Sequence, residues 1–209
     1  MTGQASMAIV LVGTEEPVAA VRELHAGPLR CRLEGGSLRH VEVAGREVIR
    51  GVAFLVRDRD WGTFNPAIAD LRVEQRDDGF TLTYTARCAD ASQALRYTAR
   101  IEGTADGTVR FTADGVAETD VVTNRTGFVV LHPIAGVAGE PVRVRHVDGT
   151  LEDSRFPLLV EPDGPFRDVR ALTHTVAPGL ELTCTMEGDA FEMEDHRNWT
   201  DASYKTYVR

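Results

Sequence analysis

Lysine is almost missing from this chain of 209 residues: among its 23 Lys and Arg residues, Lys205 is the one lysine. That usage fits a GC-rich coding bias. It does not mark a nucleic-acid surface, because the arginines are scattered and 32 acidic residues outnumber them. The net charge of −9 disfavours non-specific attraction to phosphate backbones or anionic membranes. Long apolar runs are also missing, and none approaches the roughly 18 residues of a spanning helix. Cysteine is scarce. Cys31, Cys88 and Cys184 are far apart, and no CxxC pair exists. An odd number of single cysteines suggests buried thiols in a reducing compartment, and so a cytoplasmic protein. The apolar run Met7–Val12 is short for a secretory signal and has no basic region before it.

Several chemistries lack their signatures. There is no GxSxG elbow, no P-loop and no GxGxxG fingerprint, which disfavours serine-nucleophile and nucleotide chemistry. No HxH or HExxH spacing announces a metal, and the sequence leaves any cofactor unknown. His132, before Pro133, reads either as a satisfied core residue or as a site residue. Asp148 is a candidate to fix the tautomer of His146. His25, His40 and His174 have no evident partner.

What is present is alternation with a period of two. Leu29, Cys31 and Leu33 face one way, with Arg30, Arg32 and Glu34 opposite. The same pattern runs through Phe80–Arg87, Leu95–Glu102, Val109–Thr112 and Leu180–Glu187. Each reads as an antiparallel strand with one buried and one wet face. Gly35-Gly36, Asp78-Gly79, Asp106-Gly107, Asp148-Gly149 and Pro178-Gly179 supply the turns between them. The fold class is therefore all-β, an antiparallel β-sandwich. Glu15–His25 reads equally as a helix or as an extended lead-in. We expect a lead-in over 1–26 and one β-sandwich domain over 27–209. Tyr204–Arg209 still reads as a strand where the chain stops, which suggests part of a longer protein.

Two segments break the alternation and gather polar residues. One runs from Asn124-Arg125-Thr126-Gly127-Phe128 into Leu131-His132-Pro133. The other is Phe191–Asp201, with two Glu, two Asp, one His, one Arg, one Asn and one Trp. If Phe191–Asp195 is a strand, Glu192 and Glu194 share a face. Two neighbouring carboxylates can divide into acid and base roles. Trp199 offers a flat surface for a sugar-like ring. Asn124, Arg125, Arg197, Asn198 and Asp201 are suitable donors and acceptors for a polyhydroxylated ligand. The plainer reading is a solvated strand edge followed by a polar loop.

These segments also carry a resemblance. Asn124–Pro133, Phe191–Asp195 and Arg197–Ser203 are similar to segments of the D-apionate lactonase family. So are Gly51–Asp58 with Trp61-Gly62-Thr63, His146–Gly149 and Ser154–Pro157. His196 departs from the family pattern, which has Gln there, and this makes it a poor choice for an essential acid or base. The resemblance implies a bacterial enzyme of apiose catabolism that hydrolyses D-apionolactone to D-apionate. It also implies a β-sandwich followed by a TIM barrel in a longer chain. The opening from Gly27 to Gly51 is further similar in style to galactose-mutarotase-like sandwiches.

Lactone hydrolysis then suggests roles. Glu192, Glu194 or Asp195 would act as base, and Arg125, Arg197 or His132 would stabilise the oxyanion. Asn124, Asn198, Trp199 and Asp201 would hold the ring of a small sugar lactone. Two alternatives stand beside this. One is a non-catalytic or sugar-binding module packed on the barrel. The other is an aldose-epimerase-like enzyme using His132 with Glu194.

Overall fold

The computed structural model describes residues 20–161, 163–197 and 202–209, together with residues 9, 13 and 15. The alternating segments all become strands. In chain order they are β1 Val21–Ala26, β2 Leu29–Glu34, β3 Ser37–Val43, β4 Arg46–Asp58, β5 Ala67–Gln75, β6 Gly79–Ala89, β7 Ala94–Thr104 and β8 Val109–Ala117. Then follow β9 Thr123–His132, β10 Pro141–His146, β11 Leu151–Arg155, β12 Phe166–Ala177, β13 Leu180–Thr185, β14 Phe191–Asp195 and β15 Tyr204–Val208. The helical option for Glu15–His25 is corrected over its C-terminal part. Val21–Ala26 pairs with β2, and Leu24 and Ala26 are buried. These two residues point into the core with period two, which a helix cannot provide.

Two sheets form. The large one has 11 strands, ordered β1-β2-β3-β4-β9-β15-β14-β12-β10-β11, with β13 added beside β12. The small one runs β5-β6-β7-β8. All the strand pairs are antiparallel. The alternation explains the layering. Leu29, Cys31 and Leu33 of the large sheet meet Phe80, Leu82, Tyr84, Tyr97 and Ile101 of the small one in a single apolar core. Phe54 of β4 packs on Tyr97 of β7 at 4.7 Å, and Phe128 of β9 on Phe111 of β8 at 5.1 Å. Tyr84 satisfies its buried hydroxyl by donating to the Gly36 carbonyl, 2.6 Å away. A second core lies under the other end of the large sheet, where Val137 and Phe156 cover Phe166, Phe191, Met193 and Tyr204.

Cys31, Cys88 and Cys184 are free thiols. Burial pushes Cys31 up to about 12, with help from the Glu23 charge, and burial alone pushes Cys184 to about 12. They serve as small apolar side chains. Among the described residues, no helix is long and apolar enough to cross a membrane.

Candidate functional site

The pleat of the large sheet sorts its polar residues onto two faces. On β9, Phe128 and Val130 pack toward the cores, while Gly127 and Val129 line a cleft on the opposite face. On β14, Phe191, Met193 and Asp195 are buried, and Glu192 and Glu194 alternate with them. Glu192 lies opposite Tyr207 and Glu194 opposite Lys205 across the β14–β15 pair. The open cleft above them has a volume of about 670 Å³, and Arg57, Trp61, Arg125, Lys205 and Tyr207 are in its wall.

Tyr207 organises this floor. Its hydroxyl lies 2.8 Å from Glu192 Oε1 and in hydrogen-bond contact with Glu194 Oε1. A phenol has one proton, so it donates to one carboxylate at a time. Burial and the two carboxylates push the Tyr207 hydroxyl up, so it stays a donor. Arg125 Nη2 donates to Glu192 Oε1 at 3.1 Å. Its guanidinium also lies 3.9 Å from the centre of the Tyr207 ring and 5.2 Å from that of Trp61. Such contacts hold a cation while leaving its edge available.

Glu194 is held from three sides. Burial alone would raise its carboxyl. Hydrogen bonds from Tyr207 and His196, with the Lys205 charge, outweigh that and keep it below the ordinary glutamate value. His196 Nε2 donates to Glu194 Oε2 at 2.6 Å, and the Lys205 ammonium is 3.7 Å from the same oxygen. Burial pushes the Lys205 ammonium below the usual lysine value. Glu194 opposes this, while the Arg57 and Arg125 charges add to it.

Trp61 reaches the rim through a tied loop. Asp58 Oδ1 accepts from the backbone N–H groups of Asp60 and Gly62, each at 2.8 Å. A Cβ on Gly62 would collide with the Asp58 carboxylate, so this closure requires glycine. The loop leaves Trp61 half exposed with φ +70°. A bulky residue in that region is strained, and such strain collects at functional positions. The strand β4 slips its register against β9 between Val56 and Asp58, which turns its end toward the loop.

The residues picked from sequence divide accordingly. Glu194 and Arg125 line the cleft, and Glu192 joins them through its hydrogen bonds with Arg125 and Tyr207. Asn124 sits behind it, donating from Nδ2 to the Arg59 carbonyl at 2.8 Å and so tethering the Trp61 loop. Asp195 borders the cleft, but its carboxylate has no exposed surface and is paired with Arg197 at 2.6 Å. Asp195 also accepts the Glu161 N–H, and Arg197 donates to the carbonyls of Pro157 and Leu158. Burial raises the Asp195 carboxyl, yet the Arg197 bonds and the Glu161 N–H outweigh it and hold it low. This pair clamps the 157–161 segment.

His132 is 1% exposed on the packed face, with Nε2 2.9 Å from Thr206 Oγ1. The sheet therefore separates it from Glu194, and the epimerase-like pairing does not assemble. Asn198, Trp199 and Asp201 lie outside the described residues. Two histidine readings are also corrected. His146 Nδ1 donates to the Arg167 carbonyl at 3.0 Å, while Asp148 caps its own turn through Thr150. His40 pairs with Glu47 at 3.0 Å. Among the described residues, no group of three or more His, Cys, Asp or Glu side chains could hold a metal ion.

Sequence reasoning missed Arg57, Trp61, Lys205 and Tyr207 as site residues. The available signal was the solitary lysine, flanked at two-residue spacing by Tyr207 on one strand.

A family model described as D-apionate lactonase, N-terminal domain, matches residues 9–209. The chain belongs to the D-apionate lactonase family. The D-apionate lactonase of Brucella anthropi is 54% identical over 202 residues. That match covers 96% of this chain and 33% of the relative, so the chain spans about a third of the relative's length. It corresponds to the N-terminal domain of the D-apionate lactonase family, and both segments singled out above lie within the match.

Proposed function

We propose that the whole protein hydrolyses D-apionolactone to D-apionate, and that the cleft of this β-sandwich holds the sugar lactone. The observation that carries the reading is the Glu192–Tyr207–Glu194 array, set beside Arg125 and beneath Trp61. Ester hydrolysis needs an activated water, a stabilised oxyanion and a proton for the leaving alkoxide. Glu194, kept ionised by its partners, acts as the base toward water. The proton it gains returns to the alkoxide as the ring opens. Arg125 faces the charge that develops on the carbonyl oxygen, and Trp61 supports the apolar side of the ring. The three free thiols, of which Cys31 and Cys88 are buried, fit a cytoplasmic setting.

The test is hydrolysis by the full-length protein, followed by acid release in weak buffer, with Glu194→Gln and Glu192→Gln variants. Full activity in the double variant would sink the assignment. A second reading has its own support, since two thirds of the relative's length lies outside this chain. In it a TIM barrel in the rest of the protein performs the chemistry and the sandwich is an accessory sugar-binding module. Activity that survives deletion of the sandwich would favour it.

A further inference from the structure

The cleft does not end at Glu194. A second groove of about 490 Å³ continues along the same face of the large sheet toward Glu34, Arg39 and Leu131. The two compartments share Leu55, Arg57, Val129, His196 and Lys205. Their junction therefore holds the cations Arg57 and Lys205 with the imidazole of His196, set against the apolar side chains of Leu55 and Val129. The charges there do not balance. Arg125 is paired with Glu192, and Lys205 has Glu194 nearby. Arg57 has no carboxylate partner among the described residues; its guanidinium leans only on Trp61, 5.9 Å from the ring centre. A half-buried guanidinium without an anion, next to a lysine already strained by burial and neighbouring cations, favours an incoming negative charge.

We propose that this junction is a binding site for the carboxylate of an open-chain polyhydroxy acid, held by Arg57 and Lys205. Guanidinium matches a carboxylate through two parallel N–H···O bonds, and an ammonium adds a point charge. The two compartments then take the hydroxyl-bearing carbons. The proposal rests on the lactonase reading for the identity of the acid, though not for its charge. It makes the product state of the cleft, rather than the neutral lactone, the better match to its electrostatics.

The experiment is calorimetric binding to the full-length protein of D-apionate, D-erythronate and the uncharged polyol apiitol, at low and moderate salt. We expect the acids to bind at least tenfold more tightly than apiitol, with a preference that shrinks as salt rises. Arg57→Leu should erase that preference, whereas Arg110→Leu, an exposed arginine on the small sheet, should keep it. Equal binding of acid and polyol, no binding of either acid, or an unchanged preference in Arg57→Leu would each overturn the proposal. Lactone hydrolysis measured on the same preparation separates the two ideas. Acid binding without hydrolysis refutes the lactonase reading alone, and hydrolysis without acid preference refutes the carboxylate site alone.

Discussion

Tyr207 and Glu192 face each other across an antiparallel pair, and the phenol hydroxyl sits 2.8 Å from the carboxylate. The same hydroxyl touches Glu194, so one proton serves two acids two residues apart. Removing it changes both.

Tyr207→Phe in the full-length protein should therefore lower kcat/KM for lactone hydrolysis by about tenfold or more. It should also move the acidic limb of the pH profile upward. The sign follows from Glu194, whose carboxyl is held low partly by this hydrogen bond. Without it, the carboxyl protonates at higher pH, and the base is lost earlier on acidification. An unmoved acidic limb would show that Glu194 is not the base.

Trp61→Ala should weaken ligand binding by roughly threefold to tenfold, the scale of one stacking contact. Its indole is half exposed, so the thermal midpoint should change little. A KM effect with kcat retained would match a platform role. A large loss of stability would instead assign Trp61 to folding.

Asp195→Asn should cost about 3–5 kcal/mol of stability, because it leaves the Arg197 guanidinium facing buried carbonyls without its counter-charge. Denaturant unfolding reads this directly. Asp195 is held below the ordinary carboxylate value in the fold. Its contribution is thus complete above that ordinary value and fades as pH falls through the lowered one. The variant should have a shallower acid limb in its stability curve.

His132 gives a second pH signature. Burial, with the nearby His174 charge, lowers its pKa to about 3. The unfolded chain binds the proton near pH 6.5, so stability is full above that pH and falls as pH drops toward about 3. The slope should approach about 1.4 kcal/mol per pH unit for this residue. His132→Leu should flatten the curve between pH 6 and 4, measured by urea unfolding at stepped pH.

Much of this architecture was legible because burial on one face leaves a period-two trace. Strands such as Phe80–Arg87 and Leu95–Glu102 wrote their core contacts into alternate residues, and glycine-containing dipeptides such as Asp78-Gly79 marked the turns. The site was harder to read. Its residues come from β4, β9, β14 and β15, which meet only through sheet order, and that order is not a local property. Glu194 and Asp195 looked equivalent as adjacent acids, although the pleat sends them to opposite sides. The same alternation along β9 places His132 with Phe128 and Val130, away from Arg125. Trp61 was hidden for another reason: its exposure depends on the Asp58 turn and a positive φ, neither of which hydropathy records.

The strict in-and-out order of β14 has an evolutionary consequence. Point substitutions can retune Glu192 and Glu194 while Phe191, Met193 and Asp195 go on supporting the fold, so the two jobs can drift separately. Loss or gain of a single residue within that strand cannot be absorbed in this way. It would thrust acids into the second core and lift Met193 into the cleft, exchanging the two jobs in one step. In this family, length change should therefore accumulate in the connections around β14 and spare its five residues.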